Sequence, residues 1–143
     1  MRKHIFMVFL ALCLGALSQQ VLLAQKQNNP DDITGYYLSV DPFNYKKSQN
    51  YIYKDNDGTY HGVVTWVEDP TLQSFVGYEF LTGLTFNAKE NEWQNGVLKY
   101  PGKSGTFKTY MSFKENLNTL KVRGYYGVSL FGKTVYWTRE KKR

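Results

Sequence analysis

Short runs of aromatic and β-branched residues alternate with turn residues along most of the chain. From about residue 33 onward, no stretch keeps a helical period. The runs instead recur every 8–12 residues or so, a spacing typical of a β-sandwich or a β-barrel. The run at 106–113 alternates strictly, with Phe107, Thr109, Met111 and Phe113 on one face, as expected for a strand with one buried side.

Eight strands are predicted. They cover residues 34–40, 51–54, 59–67, 75–86, 92–100, 106–113, 119–126 and 133–139. Their short connections favour antiparallel pairing between sequence neighbours, and closure into a barrel removes exposed edges. The sequence therefore predicts an all-β, eight-stranded antiparallel up-and-down barrel. Charges are not confined to one face of these short strands, so we do not expect the barrel to span a membrane.

The N-terminus has the three parts of a secretory signal peptide. Residues 1–4 are basic, residues 5–17 are apolar, and polar residues begin soon afterwards. The apolar run is too short for a stable membrane helix. Cleavage fits after Ser18 or after Ala24, and we favour the second. We therefore predict a signal peptide at 1–24, a disordered lead-in at 25–32, one β-barrel domain at 33–140 and a basic tail at 141–143, in a protein exported to the periplasm or secreted.

Removal of the signal peptide changes both the cysteine content and the charge. Cys13 is the only cysteine, so the mature chain can form no internal disulfide. Loss of Arg2 and Lys3 lowers the net charge from +6 to +4. The remaining basic residues are scattered and form no clustered face with interleaved aromatics, so we expect no nucleic-acid partner.

No catalytic or metal-binding constellation can be built from the residue pattern. The GKS turn at 102–104 has Val97 where a phosphate-binding loop requires glycine, and the DNDG turn at 55–58 lacks the distal glutamate of a calcium loop. His61 is the only histidine after processing, which excludes a zinc site of the usual Cys/His type within one chain. We therefore predict no catalytic residue, no metal and no cofactor, and a protein that is not an enzyme.

Aromatic side chains on the predicted strands allow two interpretations. They form either a packed core or the wall of a pocket for an amphipathic ligand, because tyrosine and tryptophan combine apolar rings with polar tips. The leading hypothesis is a barrel that binds a small hydrophobic or amphipathic molecule in its cavity. The residues predicted for its wall are Tyr37, Trp66, Tyr110 and Trp137.

Arg123 is the predicted polar anchor for the headgroup of such a ligand. It shares a strand face with Lys121 and Tyr125, opposite the more apolar face of Val122. Arg123 therefore points inward only if its polar face lines the cavity, or if a bulge at Gly124 changes the phase of the strand.

The apolar segment at 128–131 supports an alternative function. It reads VSLF and is bracketed by glycines, so it is expected to be an exposed apolar loop. In this alternative the barrel is filled, and the protein is a non-enzymatic structural or interaction module of the cell envelope. It would dock through residues 128–131 on a protein partner or on lipid at the periphery of the envelope.

Several ordered motifs resemble the DUF2147 family of uncharacterised exported bacterial proteins. They are GYEFLTGL at 77–84, WQNG at 93–96, YP at 100–101, GTF at 105–107, LKVRGY at 120–125 and WTR at 137–139. The resemblance implies a lipocalin-like, calycin-type barrel. Lipocalins begin with a Gly-x-Trp signature, and a basic residue near their last strand packs over that tryptophan. In this sequence Gly35 and Tyr37 would form the signature, with tyrosine in place of tryptophan. Arg139 would be the basic residue. The resemblance thus implies that Gly35 and Arg139 close the barrel structurally, and it carries no activity.

Overall fold

A computed structural model describes residues 26–143 of the chain, so the predicted signal peptide lies outside the described residues. The strands are β1 Gly35–Val40, β2 Lys47–Lys54, β3 Tyr60–Val67, β4 Glu79–Asn87, β5 Glu92–Leu98, β6 Phe107–Phe113, β7 Thr119–Tyr125 and β8 Gly132–Glu140. Each strand pairs antiparallel with the next, and β8 pairs with β1 to close the barrel. The predicted eight-stranded up-and-down barrel is confirmed.

Two strands begin four residues away from the predicted position, for identifiable reasons, and the other boundaries differ by at most two residues. The second strand begins at Lys47 rather than at residue 51, because residues 47–50 pair with the whole second half of β1. The fourth strand begins late because Pro70–Phe75 forms a 3₁₀ helix. Asp69 caps that helix by accepting a hydrogen bond from the Thr71 amide, and Pro70 occupies the first turn, where proline needs no donor.

The antiparallel order gives the barrel two different ends. The closed end carries the N-terminal segment 26–34 and the connections 55–59, 88–91 and 114–118. The open end carries the connections 41–46, 68–78, 99–106 and 126–131. Among residues 26–143, no helix is both long enough and apolar enough to cross a membrane.

Large side chains fill the closed half of the barrel. The residues almost completely buried there are Ile33, Tyr37, Ile52, Tyr60, Leu84, Trp93, Met111, Phe113 and Leu120. The predicted alternation of β6 is confirmed, since Thr109, Met111 and Phe113 are buried while Tyr110 and Ser112 between them are only half-buried. These inward positions form one continuous hydrophobic core, so the stability of the fold is concentrated in this half.

The segment predicted as a disordered lead-in is instead docked on the closed end from residue 26 onward. The Asn28 amide donates to Asn91 Oδ1 at 2.8 Å, and Trp93 Nε1 donates to the Pro30 carbonyl at 2.9 Å. A 3₁₀ helix, Pro30–Ile33, then places Ile33 in the core with no exposed surface. Both bonds use backbone atoms of the segment, and the Gln27 side chain adds a hydrogen bond to the Ala88 carbonyl at 2.9 Å.

Candidate functional site

The open half of the barrel encloses a cavity of about 370 Å³. Its interior wall is formed by inward-facing side chains that are mostly apolar, among them Val64, Phe80, Leu98, Phe107, Val122 and Val135. The volume falls in the range of about 300–1,000 Å³ that small-molecule sites occupy.

Trp137 lies between the cavity and the packed core. Its ring lines the cavity and makes an edge contact with Phe80 at a centroid distance of 5.8 Å. On its other side it meets the Tyr37 ring, 6.3 Å away in the closed half. Trp137 therefore forms part of the cavity floor.

A small polar cluster interrupts the apolar wall on β1 and β2. Asn50 Nδ2 donates to Ser39 Oγ at 3.0 Å, and Ser39 Oγ lies 2.9 Å from Ser48 Oγ. All three residues line the cavity. Across residues 26–143, Asn50 Oδ1 accepts no hydrogen bond, so this oxygen is a ready acceptor for a donor group on a bound molecule.

The rim of the cavity is basic and aromatic. Lys47, Lys99 and Lys133 line it together with Phe43 and Phe131. The Lys133 ammonium lies 4.7 Å from the centre of the Phe43 ring, within range of a cation–π interaction. A molecule entering the cavity therefore passes aromatic rings and positive charge before it reaches the apolar interior.

Arg139 closes the opposite end of the barrel. Its guanidinium donates to the carbonyls of Asp32 at 2.6 Å and Thr34 at 2.8 Å and to the Tyr37 hydroxyl at 2.8 Å, and it lies over the Tyr37 ring. Burial raises the pKa of Tyr37 well above its usual value, although the positive charge of Arg139 opposes the shift. The Tyr37 hydroxyl therefore stays protonated, and it donates to the Ile33 carbonyl.

Gly35 makes room for this guanidinium. A Cβ atom on Gly35 would lie 2.6 Å from Arg139 Nη1, and the φ of 136° is one that other residues rarely adopt. The structure thus places together the two residues that the family resemblance implied for closure.

Four of the five predicted ligand-binding residues lie away from the cavity, and only Trp137 lines it. Tyr37 is buried in the closed half. Trp66 lies on the outer wall, where the Arg143 guanidinium stacks 4.2 Å from its ring. A β-bulge in the pairing of β2 with β3 explains this placement. Because of the extra residue, the inward-facing position after Val64 is Val67, and Trp66 faces outward.

Arg123 and Tyr110 are also on the outer wall. Pairing through Tyr110, Arg123 and Thr134 runs without interruption across β6, β7 and β8, so Gly124 does not change the phase of β7. Arg123 donates to the Ser129 carbonyl, and the Tyr110 hydroxyl lies 3.1 Å from Ser129 Oγ. These two residues therefore hold the 126–131 connection in place, and the predicted headgroup anchor lies outside the cavity.

The cavity residues that the sequence analysis did not select include both aliphatic and aromatic side chains. Val122 lies on the apolar face of β7, opposite the face that carries Arg123. Strand alternation alone was therefore sufficient to predict that Val122 faces inward. Asn50 carried no comparable signal, because it precedes the predicted second strand and its inward orientation depends on the pairing of β2 with β1.

His61 forms a separate polar cluster on the outer wall. Its Nδ1 lies 2.7 Å from Glu79 Oε1, and its Nε2 lies 2.8 Å from Thr59 Oγ1. Burial lowers the pKa of His61, but the hydrogen bonds to Glu79 and Asp57 and the charges of Asp57 and Asp55 outweigh it and raise the pKa. His61, Asp55 and Asp57 offer ligand atoms within 4.8 Å of one another, yet Nε2 already has Thr59 and Asp57 as partners, so a cation would have to displace them.

A closed antiparallel barrel with an apolar cavity at one end is a lipocalin-like architecture. The chain belongs to the DUF2147 family, whose model, described as an uncharacterized protein conserved in bacteria, matches residues 35–139. A solved structure with a similar fold is protein HP1028 from the human pathogen Helicobacter pylori, which is described as belonging to the lipocalin family. The two align with a TM-score of 0.61 and 16% identity over 76% of this chain and 83% of that one. A comparison with curated proteins gave no significant match.

Proposed function

We propose that the protein binds one small hydrophobic or amphipathic molecule in the barrel and catalyses no reaction on it. The observation that carries this proposal is the cavity of about 370 Å³, apolar inside and reached from one end. The lipocalin-like fold supports small-ligand binding in general. A pre-formed apolar cavity favours this function over the alternative of a filled barrel.

The lining gives the bound molecule an orientation. Its apolar part would lie toward Trp137 and Phe80, where the wall has no charged group. Each buried methylene contributes about 0.8 kcal/mol, so a tail of several carbons is needed to offset an association cost of at least about 4 kcal/mol. A hydroxyl or amide donor partway along the molecule would meet Asn50 Oδ1, and a polar end would reach the rim.

We further propose that the protein acts outside the cytoplasm after loss of residues 1–24. The support is the order of basic, apolar and polar residues at the N-terminus. Mass spectrometry of protein recovered from the periplasm or the medium tests this directly. A mature N-terminus at Gln25 is expected, and intact protein retained in the cytoplasm would contradict it.

A cavity-filling substitution tests the binding proposal. Val122 is buried, faces inward and lines the cavity, so Val122→Trp would occupy much of the space. We expect fluorescence titration with the apolar probe N-phenyl-1-naphthylamine to show saturable binding to the wild type. The variant should bind at least about tenfold more weakly, which corresponds to about 1.4 kcal/mol.

The matched control is Lys121→Trp, which adds the same ring one position along β7 on the outward face. This variant should bind the probe as the wild type does. Near-ultraviolet circular dichroism would confirm that both variants keep the native packing. Equal binding by both variants, or no saturable binding by the wild type, would contradict the proposed cavity function.

A further inference from the structure

Exposed apolar side chains are concentrated at the open end of the barrel. Of the ten large hydrophobic residues exposed in the described part of the chain, eight lie in or next to the open-end connections. The eight are Val40, Phe43, Tyr45, Val76, Tyr126, Val128, Leu130 and Phe131. Isolated apolar residues are ordinary on protein surfaces, but their segregation to one end indicates an interaction surface.

The 126–131 connection carries three of the four most exposed of these side chains. Leu130 is 81% exposed, Phe131 68% and Val128 57%. The backbone of this connection is nevertheless fixed, because the Phe131 amide donates to the Val128 carbonyl at 3.0 Å and Arg123 holds the Ser129 carbonyl. These apolar side chains are therefore presented to solvent by an ordered loop.

Lysines surround the same end. The lysines on the open-end connections or on the first two residues of the strands that begin there are Lys46, Lys47, Lys99, Lys103, Lys108 and Lys133, against four carboxylates at 41, 68, 69 and 79. Among residues 26–143, the only one of these lysines in an ion pair is Lys46, with Asp69. Lys103 lies 3.6 Å from the centre of the Phe43 ring, so positive charge and exposed apolar surface are intermixed.

We propose that the open end docks on an anionic lipid surface. Leu130 and Phe131 would enter the boundary between headgroups and acyl chains, while the unpaired lysines contact lipid phosphates. Peripheral proteins bind membranes by burying apolar area and by electrostatic attraction to anionic lipid. The exposed apolar loop would supply the first interaction, and the lysines around it would supply the second. In this pose the mouth of the cavity faces the lipid, whether or not the cavity is occupied.

Vesicle sedimentation tests the proposal. The purified protein is mixed with phosphatidylcholine vesicles prepared with or without phosphatidylglycerol, at low and at high salt. We expect binding to the anionic vesicles that weakens as salt rises, because the lysine contribution is screened. Lys99→Gln and Lys133→Gln should each weaken binding about fivefold.

The apolar contribution has its own variant and matched controls. Leu130→Ser combined with Phe131→Ser should reduce binding to anionic vesicles by about tenfold or more. Tyr136→Ser and Leu117→Ser remove the two exposed hydrophobic residues that lie away from the open end, and they should bind like the wild type.

Three results would overturn the proposal. In the first, the wild-type protein sediments with neither kind of vesicle. In the second, it binds neutral and anionic vesicles equally well. In the third, the Leu130→Ser, Phe131→Ser variant and the Tyr136→Ser control lose the same amount of vesicle binding. If the protein binds the fluorescent probe but no vesicle, membrane docking alone is rejected, and the proposed ligand binding stands. Binding to a protein partner without any vesicle binding falls under the first of these results and rejects membrane docking.

Discussion

Replacing Arg139 with methionine tests whether the closed end depends on its guanidinium. The side chain donates four hydrogen bonds, to the carbonyls of Asp32, Thr34 and Leu117 and to the Tyr37 hydroxyl, at 2.6–2.8 Å. The bond to Leu117 is exposed, whereas the other three are partly buried, and each of these contributes about 1 kcal/mol net. We therefore expect Arg139→Met to lower the free energy of unfolding by about 3 kcal/mol.

Urea unfolding measures this loss, with tryptophan fluorescence as the signal because Trp93 and Trp137 are buried. The control is Arg123→Met, which removes a guanidinium from the outer wall; we expect a loss of about 1 kcal/mol or less. Arg139→Lys keeps the charge but cannot reproduce the planar set of donors, so its loss should be intermediate. A loss from Arg139→Met no larger than that from Arg123→Met would refute this account of closure.

The remaining predictions concern the outer wall and the docked N-terminal segment. The hydrogen bond to Glu79 and the other nearby carboxylates raise the pKa of His61 above its usual 6.5 despite burial. Its contribution to stability is therefore complete below the unfolded pKa and lost as pH rises through the folded pKa. Urea midpoints measured from about pH 6 to pH 8 should reveal this fall, and His61→Gln should abolish that part of it; an equally steep fall in the variant would contradict the assignment. Gly35→Ala forces a Cβ to within 2.6 Å of Arg139 Nη1 and should cost about 2 kcal/mol in thermal or urea unfolding; an unchanged midpoint would argue against the tight closure. Ile33→Ala should cost about 2–4 kcal/mol, whereas a negligible loss would mean that the segment is not packed on the barrel.

The barrel itself was predictable because its signal repeats along the chain. Alternation in 106–113 matches the buried face of β6, and short connections leave few ways to order eight strands. The docked lead-in was not predictable in the same way. Whether Asn28 and Pro30 are ordered depends on Asn91 and Trp93, more than sixty residues away, and composition does not report such contacts.

The cavity was harder to predict than the fold, because it depends on which face of each strand points inward. The bulge opposite β2 reverses that face between Val64 and Val67 and carries Trp66 outward. Aromatic residues were favoured as wall residues for their chemistry, and the wall does contain aromatic rings such as Phe80 and Phe107, but of the residues predicted only Trp137 lines the cavity. Arg123 shows the other limit. Its alternation with Val122 already favoured an outward side chain, but only the uninterrupted pairing of β7 with both neighbours excludes a change of phase at Gly124.

The closed half of the barrel is packed, whereas the open half contains the cavity. The closed half, with Trp93 in the core and Arg139 at the end, supplies stability, and both residues lie outside the cavity. The open half leaves part of its interior unfilled, which lowers the stability of the fold, as expected for the proposed binding site. Substitutions in the closed half should therefore change unfolding, and substitutions around Val122 should change binding.

Native mass spectrometry of the purified protein tests the central claim most directly. The protein would be incubated with a total lipid extract of bacterial envelopes, separated from free lipid, and weighed intact before and after organic extraction. We predict an added mass of one small amphipathic molecule per barrel, released by the solvent and absent from the Val122→Trp variant. A wild-type protein that shows only the mass of its polypeptide, and that yields nothing on extraction, would contradict the account.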